Sequence, residues 1–494
     1  MPSQLEISSP PASGYQLRPG LWIAIVLAIV AAAVLIAERR SGQDWGGDFS
    51  LYISHARSLS EGRPYADTGY IVNPYFKSLS PTTYPPLFPL VLTPLYAKYG
   101  LDYNVLKLPG IVFFAIGIPV LFCFFCRDLP AIESLAAIFL WTTWPWILGF
   151  KDAVLPDFLF LLLWSLALWL LRLAYDEAPM RRPELRGIVI GILAYAAYAT
   201  RSAGIVLPAA VLCYDFLRFR RISRLAAFVA GIFALLTLAQ GLLIHSESSY
   251  LQMFAFSPGA TVKAYLYAVS TLFSSSAGGW ERLLRYAAIV PAVLLAGAGF
   301  FVNLRRFRSP PEVTVILYGV LLVLWSLGTG TRYMMPLVPF FFLYIFIGLG
   351  LLKGRFGSRV WRGATCALVF LILTCYVIED RTYRPGQIEG GVSTPGFAEL
   401  CQYIRANTNP KDVFVFQNPR VLSLYTRRPA SVYPEHGDPQ LVWNYSHNIH
   451  ARYIVVTDFL NGDSTVLHPF VREYGDRLRM IFSNTNFRLY ALGE

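Results

Sequence analysis

Residues 21–37 read LWIAIVLAIVAAAVLIA, a run with no charged side chain, and Glu38-Arg39-Arg40 follows at once. As a helix the run covers about 25 Å, most of a bilayer core of roughly 30 Å. It is too long for a signal-peptide core and lacks a small-residue cleavage site, so it predicts a retained transmembrane helix. Residues 1–20, with Pro2, Pro10, Pro11 and Gly14, form a polar arm before it.

Ten similar stretches follow, at about 106–126, 131–149, 156–173, 187–200, 203–217, 225–245, 284–302, 313–328, 333–352 and 361–378. The chain as a whole agrees. Of its 494 residues 55% are hydrophobic and only 15% charged, against about 25% charged in soluble domains. A soluble enzyme, a disordered chain, a coiled coil and a disulfide-rich secreted module are excluded. The expected fold class is a polytopic α-helical membrane protein of about eleven spans. Cys123, Cys126, Cys213, Cys366 and Cys375 fall in or beside apolar stretches and only Cys401 lies elsewhere, so no disulfide framework is expected. The Cys123–Cys126 pair reads as packing rather than redox or metal chemistry.

The net charge of +12 reads as topology and affinity for anionic lipid, not as nucleic-acid binding. Basic loops alternate with others: Arg172, Arg181, Arg182 and Arg186; Arg218, Arg220, Arg221 and Arg224; Arg305, Arg306 and Arg308; Lys353, Arg355, Arg359 and Arg362. Placing these in the cytoplasm puts the N-terminus inside and the C-terminus outside. Arg39 and Arg40 run against the trend.

Two long outer segments result. In residues 41–105, Phe49, Tyr52, Ala56 and Leu59 recur at helical spacing before Gly62, which predicts an amphipathic helix along the membrane surface. Residues 379–494 have a soluble composition. A helix is expected over 395–407, with Thr394 as N-cap and Pro395 at N1. Strands are expected at 413–417, 430–433, 453–458, 479–483 and 487–492, giving a small extracytoplasmic α/β domain expected to fold by itself.

Ionisable groups at span ends are costly and point to function. On the outer side these are Asp48, Lys77, Lys151, Asp152, Asp157, Arg201 and Arg332. Asp48 fits either a helix cap or a carboxylate general base. Asp157, after Pro156, fits either a dipole partner or a second site carboxylate, with Asp152 as competitor. Arg201, Arg332 and Lys77 fit either interface anchors or cations for a lipid-linked phosphate. His436, His447 and His450 read as surface residues. No metal-ligand set, P-loop or dinucleotide fingerprint is present.

These motifs carry a family resemblance. Asp48-Phe49-Ser50-Leu51-Tyr52, the run from Ala56 to Gly62, and Tyr84-Pro85-Pro86-Leu87 resemble the first outer loop of the GT-C superfamily of membrane glycosyltransferases. The nearest branch is the protein mannosyltransferase and lipid A aminoarabinose transferase type. Residues 151–161 with Pro156-Asp157, then Thr200-Arg201, and Thr331-Arg332-Tyr333 with Pro336, are similar to its later outer segments. The resemblance spans about residues 44–352. It implies transfer of a sugar from a polyprenyl-phosphate donor to a lipid, glycan or protein acceptor, at the outer face of the inner or plasma membrane. It also implies Asp48 and Asp157 as catalytic carboxylates, Arg201, Arg332 and Lys77 as donor-phosphate ligands, and Tyr52, Tyr84, Lys151, Asp152 and Tyr333 as further site residues. The family's first-loop motif is often Asp-Glu. Here Phe49 replaces the second acid, which favours inverting displacement without a metal or other cofactor. The rival class is a lipid or lipid-linked-sugar flippase. An odd span count, no internal repeat and charges gathered at one surface argue against it.

Overall fold

A computed structural model describes residues 14–76, 79, 81–177, 180–244, 257–276, 278–325, 330–435 and 437–493. Lys77 and His436 lie outside the described residues. The membrane part runs through α1 (Gly14–Ala37), α2 (Asp48–Ser60), α3 (Leu87–Tyr99), α4 (Tyr103–Leu106), α5 (Leu108–Phe125), α6 (Ala131–Thr142), α7 (Trp146–Lys151) and α8 (Asp157–Asp176). It continues through α9 (Pro183–Tyr198), α10 (Val206–Phe219), α11 (Arg224–Leu243), α12 (Pro258–Ser270), α13 (Gly279–Arg306), α14 (Pro311–Leu324), α15 (Thr331–Met334) and α16 (Val338–Asp380). Among the described residues, seven helical stretches are long and apolar enough to cross a membrane, and α6 and α14 are shorter apolar helices. This is a multi-pass helical membrane protein.

Within the described residues each expected span overlaps helix (245 and 326–328, the ends of two of them, lie outside), and three differ in detail. The stretch 131–149 breaks into α6 and α7 at Pro145, because proline disfavours helical backbone in the residue before it. Most of the last two spans joins in one run, α16, interrupted at Gly357, whose φ of 82° makes a kink without a loop. Against α16 lies α13. A Cβ on Gly299 would stand 2.0 Å from the Tyr344 carbonyl oxygen, so only glycine admits this approach.

Three of the four basic segments meet at one end. Arg172 bonds Asp128 (2.8 Å), Asp176 (3.2 Å) and Ser309 (3.0 Å), and Tyr214 Oη donates to the Phe307 carbonyl (3.1 Å).

At the other end the tail folds as α17 (Pro395–Asn407), α18 (Pro419–Thr426), α19 (Pro439–Asn448) and α20 (His468–Glu473) around a sheet. Its strands are β1 (Tyr70–Ile71), β2 (Val413–Val415), β3 (Ala430–Ser431), β4 (Ala451–Thr457), β5 (Leu478–Ser483) and β6 (Phe487–Leu492), in the order β1-β3-β2-β4-β6-β5. The first four are parallel, and β6 and β5 join antiparallel. Alternation along β2 and β4 sends Phe414 and Val455 to one face and Val415, Ile454 and Val456 to the other.

The tail's boundary is where the sequence reading falls short. Edge strand β1 comes from the first outer loop, pairing Tyr70 with Ala430 and Ile71 with Ser431. One core also joins the two segments, with Phe49, Leu51, Tyr52, Phe88 and Tyr103 packed in the same cluster as Phe397, Leu400, Leu422 and Leu424. Nor does α2 lie on a membrane surface. Residues 49–58 are all buried. Its polar side chains find partners inside: Arg57 donates to the Leu424 carbonyl (3.1 Å), Ser58 to the Asp67 carbonyl (2.6 Å) and Ser50 to the Gly47 carbonyl (2.6 Å).

Candidate active site

Five segments deliver charge to one place, where α2, α15, the turn after α9 and the first turns of α8 and α18 converge. Asp48 opens α2 and Asp157 opens α8. Arg332 sits in α15, and Arg201 precedes the short turn Ser202–Ile205. Asp48 does not cap its helix. Gly47 holds the cap position, and the Asp48 carboxylate accepts from Tyr84 Oη (2.6 Å) and from Arg332 Nη1 (2.6 Å). Arg332 Nε reaches both oxygens of Asp157 at 3.2 Å, and Arg201 Nη1 closes the chain on Asp157. The array runs Asp48–Arg332–Asp157–Arg201.

A fifth member was not legible in the sequence. Arg420, at the start of α18, donates from Nη1 to Tyr84 Oη (3.0 Å) and lies 3.7 Å from Asp48. Its guanidinium stacks over Tyr70 at 4.8 Å. An arginine in the first turn of a helix opposes the dipole there, which is the one local sign that its charge is used elsewhere. Three guanidiniums against two carboxylates leave the site with one positive charge in excess, so it is built to accept an anion.

Burial grades the members. Asp157 is 2% exposed and Arg420 3%, whereas Asp48 is 34% and Arg332 25%. The first pair is enclosed by protein, and the second is open to the surroundings. Burial alone would raise the Asp48 pKa, but the charges of Arg332 and Arg420 and the Tyr84 hydrogen bond outweigh it and hold the pKa at about 2.

Tyr52, Tyr84 and Tyr333 lie beside the array. Tyr52 packs on Tyr84 (4.6 Å between rings), and the Arg201 guanidinium lies over Tyr333 (5.4 Å). Tyr84 is fixed along its backbone as well. Its N–H donates to His55 Nε2 (3.1 Å) and its carbonyl accepts from Tyr65 Oη (2.8 Å). His55 Nδ1 in turn lies 2.8 Å from the Tyr65 carbonyl, so the ring is neutral with its proton on Nδ1. Desolvation pushes the His55 pKa down to about 4.

Lys151 and Asp152 do not join the array. Asp152 accepts from Arg40 Nε (2.7 Å) and Tyr383 Oη (2.8 Å), and Lys151 bonds Asp152 (3.0 Å), the Glu38 carbonyl (2.9 Å) and Tyr383. This second knot ties the end of α1 to α7 and to the segment after α16. Arg40, which runs against the charge rule, is paired there with Asp152, which it shares with Lys151. His447 and His450 are exposed.

No family model and no curated protein matches this sequence. Solved structures do match in fold. The oligosaccharyltransferase of Archaeoglobus fulgidus, crystallised with zinc and sulfate, superposes with a TM-score of 0.61 at 13% identity, over 95% of this chain and 73% of its own. The chain has the GT-C fold. ArnT of Cupriavidus metallidurans bound to undecaprenyl phosphate matches at 0.55 and 15% identity, over 97% of this chain and 98% of its own. The mycobacterial arabinofuranosyltransferase AftD gives 0.58 at 12%, over 98% of this chain and 40% of that longer one.

Proposed function

We propose that this protein is an integral-membrane glycosyltransferase that moves a sugar from a polyprenyl-phosphate donor to an acceptor hydroxyl or amide at the outer face of the cell or inner membrane. The observation that carries this reading is the Asp48–Arg332–Asp157–Arg201 array with Arg420, a partly exposed carboxylate beside cations in excess at one end of the helical bundle. The GT-C fold supports it, as do the undecaprenyl phosphate bound by ArnT and the dolichol-phosphate and peptide bound by the Archaeoglobus oligosaccharyltransferase.

The charges balance for such a reaction. A polyprenyl-phosphate sugar is a diester with one negative charge, which offsets the excess of the array. Arg332 and Arg201 take the phosphate. The acceptor oxygen or nitrogen attacks the anomeric carbon from the face opposite, the bond from that carbon to the phosphate oxygen breaks, and Asp48 receives the acceptor's proton. The leaving phosphate gains a negative charge as Asp48 loses one, so the site remains neutral throughout and the guanidiniums stabilise the charge where it develops. Paired with Arg332, Asp48 is a weak base. A donor phosphate that shares Arg332 strengthens that base as it binds.

The residues around Asp48 do not suit a metal centre. Phe49 is buried and apolar, and both carboxylates are held by guanidiniums, which repel a cation. The steps above therefore use none.

Mass spectrometry of the lipid that co-purifies with the protein tests the reading. A polyprenyl phosphate, with or without its sugar, is the expected result. A co-purified pool holding only ordinary phospholipids, with no binding of added undecaprenyl phosphate, would overturn it.

A further inference from the structure

Arg420 lies in the C-terminal region, yet it ends inside the array. Its guanidinium is 3% exposed, contacts the Tyr84 hydroxyl at 3.0 Å and stacks on Tyr70 of β1. Tyr84 Oη therefore accepts from Arg420 and donates to Asp48, a relay in which the cation polarises the hydroxyl and the hydroxyl orients the carboxylate. Arg332 holds the other oxygen of Asp48, and it is the more exposed of the two arginines. Once Arg332 turns to a phosphate, the Arg420–Tyr84 side is what still fixes Asp48.

We propose that Arg420 is a positioning residue for sugar transfer, holding the Asp48 carboxylate through Tyr84 while Arg332 engages the donor phosphate. This rests on the reading above. It makes the C-terminal region part of the active site: α18 supplies Arg420, and β1 and β3 lock the first outer loop, with Tyr70, against the same sheet.

Two measurements test it. The first needs no substrate. The carboxylate stretch of Asp48 is isolated by ¹³C-aspartate labelling and subtraction of the Asp48→Asn spectrum, with and without added undecaprenyl phosphate. The band should move in Arg420→Gln and in Tyr84→Phe, by more when undecaprenyl phosphate is present, and should return toward wild type in Arg420→Lys. The second is kinetic, with the co-purified donor. Arg420→Gln should bind undecaprenyl phosphate within about twofold of wild type while kcat falls about 10²-fold, the order that an ångström of misplacement costs. Donor KM should stay unchanged, and Arg420→Lys should recover most of the loss. Tyr84→Phe should add little to Arg420→Gln, and it gives the same readout if the Gln variant does not fold. An Asp48 band unmoved in both variants overturns the proposal whether or not the protein transfers sugar. A kcat loss matched by weaker undecaprenyl phosphate binding also overturns it, making Arg420 a phosphate ligand instead. A wild-type protein without transfer or lipid binding, but with the band shifts present, would refute the transferase reading alone.

Discussion

Asp157→Asn separates the scaffold role of this carboxylate from the chemistry at Asp48. Asp157 is almost fully buried and is bonded by two arginines, Arg332 to both its oxygens and Arg201 to one. The amide keeps the shape and removes the charge. It leaves two guanidiniums facing each other across a neutral group. At about 4 Å and an effective dielectric near 20, each lost attraction is worth about 4 kcal/mol, partly offset because the buried carboxylate no longer needs desolvation. Breaking buried pairs in this way costs about 3–5 kcal/mol. That is large enough to lower the melting temperature of the purified protein by several degrees. An anion should then refill the vacancy in charge. A carboxylate some 7 Å from a bound phosphate repels it by about 2 kcal/mol at the same dielectric. Undecaprenyl phosphate should accordingly bind Asp157→Asn about tenfold or more tightly than wild type, and should raise its melting temperature further than it raises that of the parent. A thermal melt in detergent, with and without saturating undecaprenyl phosphate, reads both effects. An unchanged melting temperature, or equal stabilisation of the two proteins by the lipid, would refute the assignment of Asp157 as the neutralising partner of Arg201 and Arg332.

Acid should loosen the Tyr84 clamp. The His55 pKa is depressed to about 4 in the fold, so the stability it contributes is intact above about pH 6.5 and is lost as pH falls toward 4, to a limit of about 3 kcal/mol. Thermal melts across that range should show this loss in wild type and not in His55→Gln. Residues 379–494 expressed alone should bind an apolar dye and melt without cooperativity, because α17 and α18 lose Phe49, Leu51 and Phe88 from their shared core. A sharp melt of that fragment would show that the first outer loop is dispensable to it. At Gly357, substitution by Ala places a Cβ at φ of 82° and should cost about 1–2 kcal/mol, read as a lower melting temperature with undecaprenyl phosphate binding unchanged.

Much of this architecture is written locally and could be read from the chain. Apolar runs located the spans, Pro395 and Thr394 located α17, and alternation located the strands of the tail. Position alone singled out the four charges that the fold brings together: Asp157, Arg201 and Arg332 stand at the ends of apolar runs, and Asp48 lies in the first long loop. What escaped depends on pairing across long distances. Strand β1 is two residues long and has no alternation to detect; it is a strand because β3 lies beside it. Helix α2 shows one apolar face in sequence, and its burial on the other faces follows from α18, whose arrival no local pattern announces. Lys151 and Asp152 resemble the array residues in every local respect. Only the fold gives them to Arg40 and Tyr383 instead. Arg420 was missed for the same reason: it belongs to a soluble segment and acts on a residue of the first outer loop.

Asp48→Asn is the most direct test of the account. Both proteins are purified with their lipid, and turnover of the polyprenyl-phosphate donor is followed by mass spectrometry. The Asn variant should fold and retain the donor, because the proposed phosphate ligands are Arg332 and Arg201, while transfer falls about 10²–10⁴-fold, the usual contribution of a positioned base. Transfer at the wild-type rate by Asp48→Asn would contradict the account.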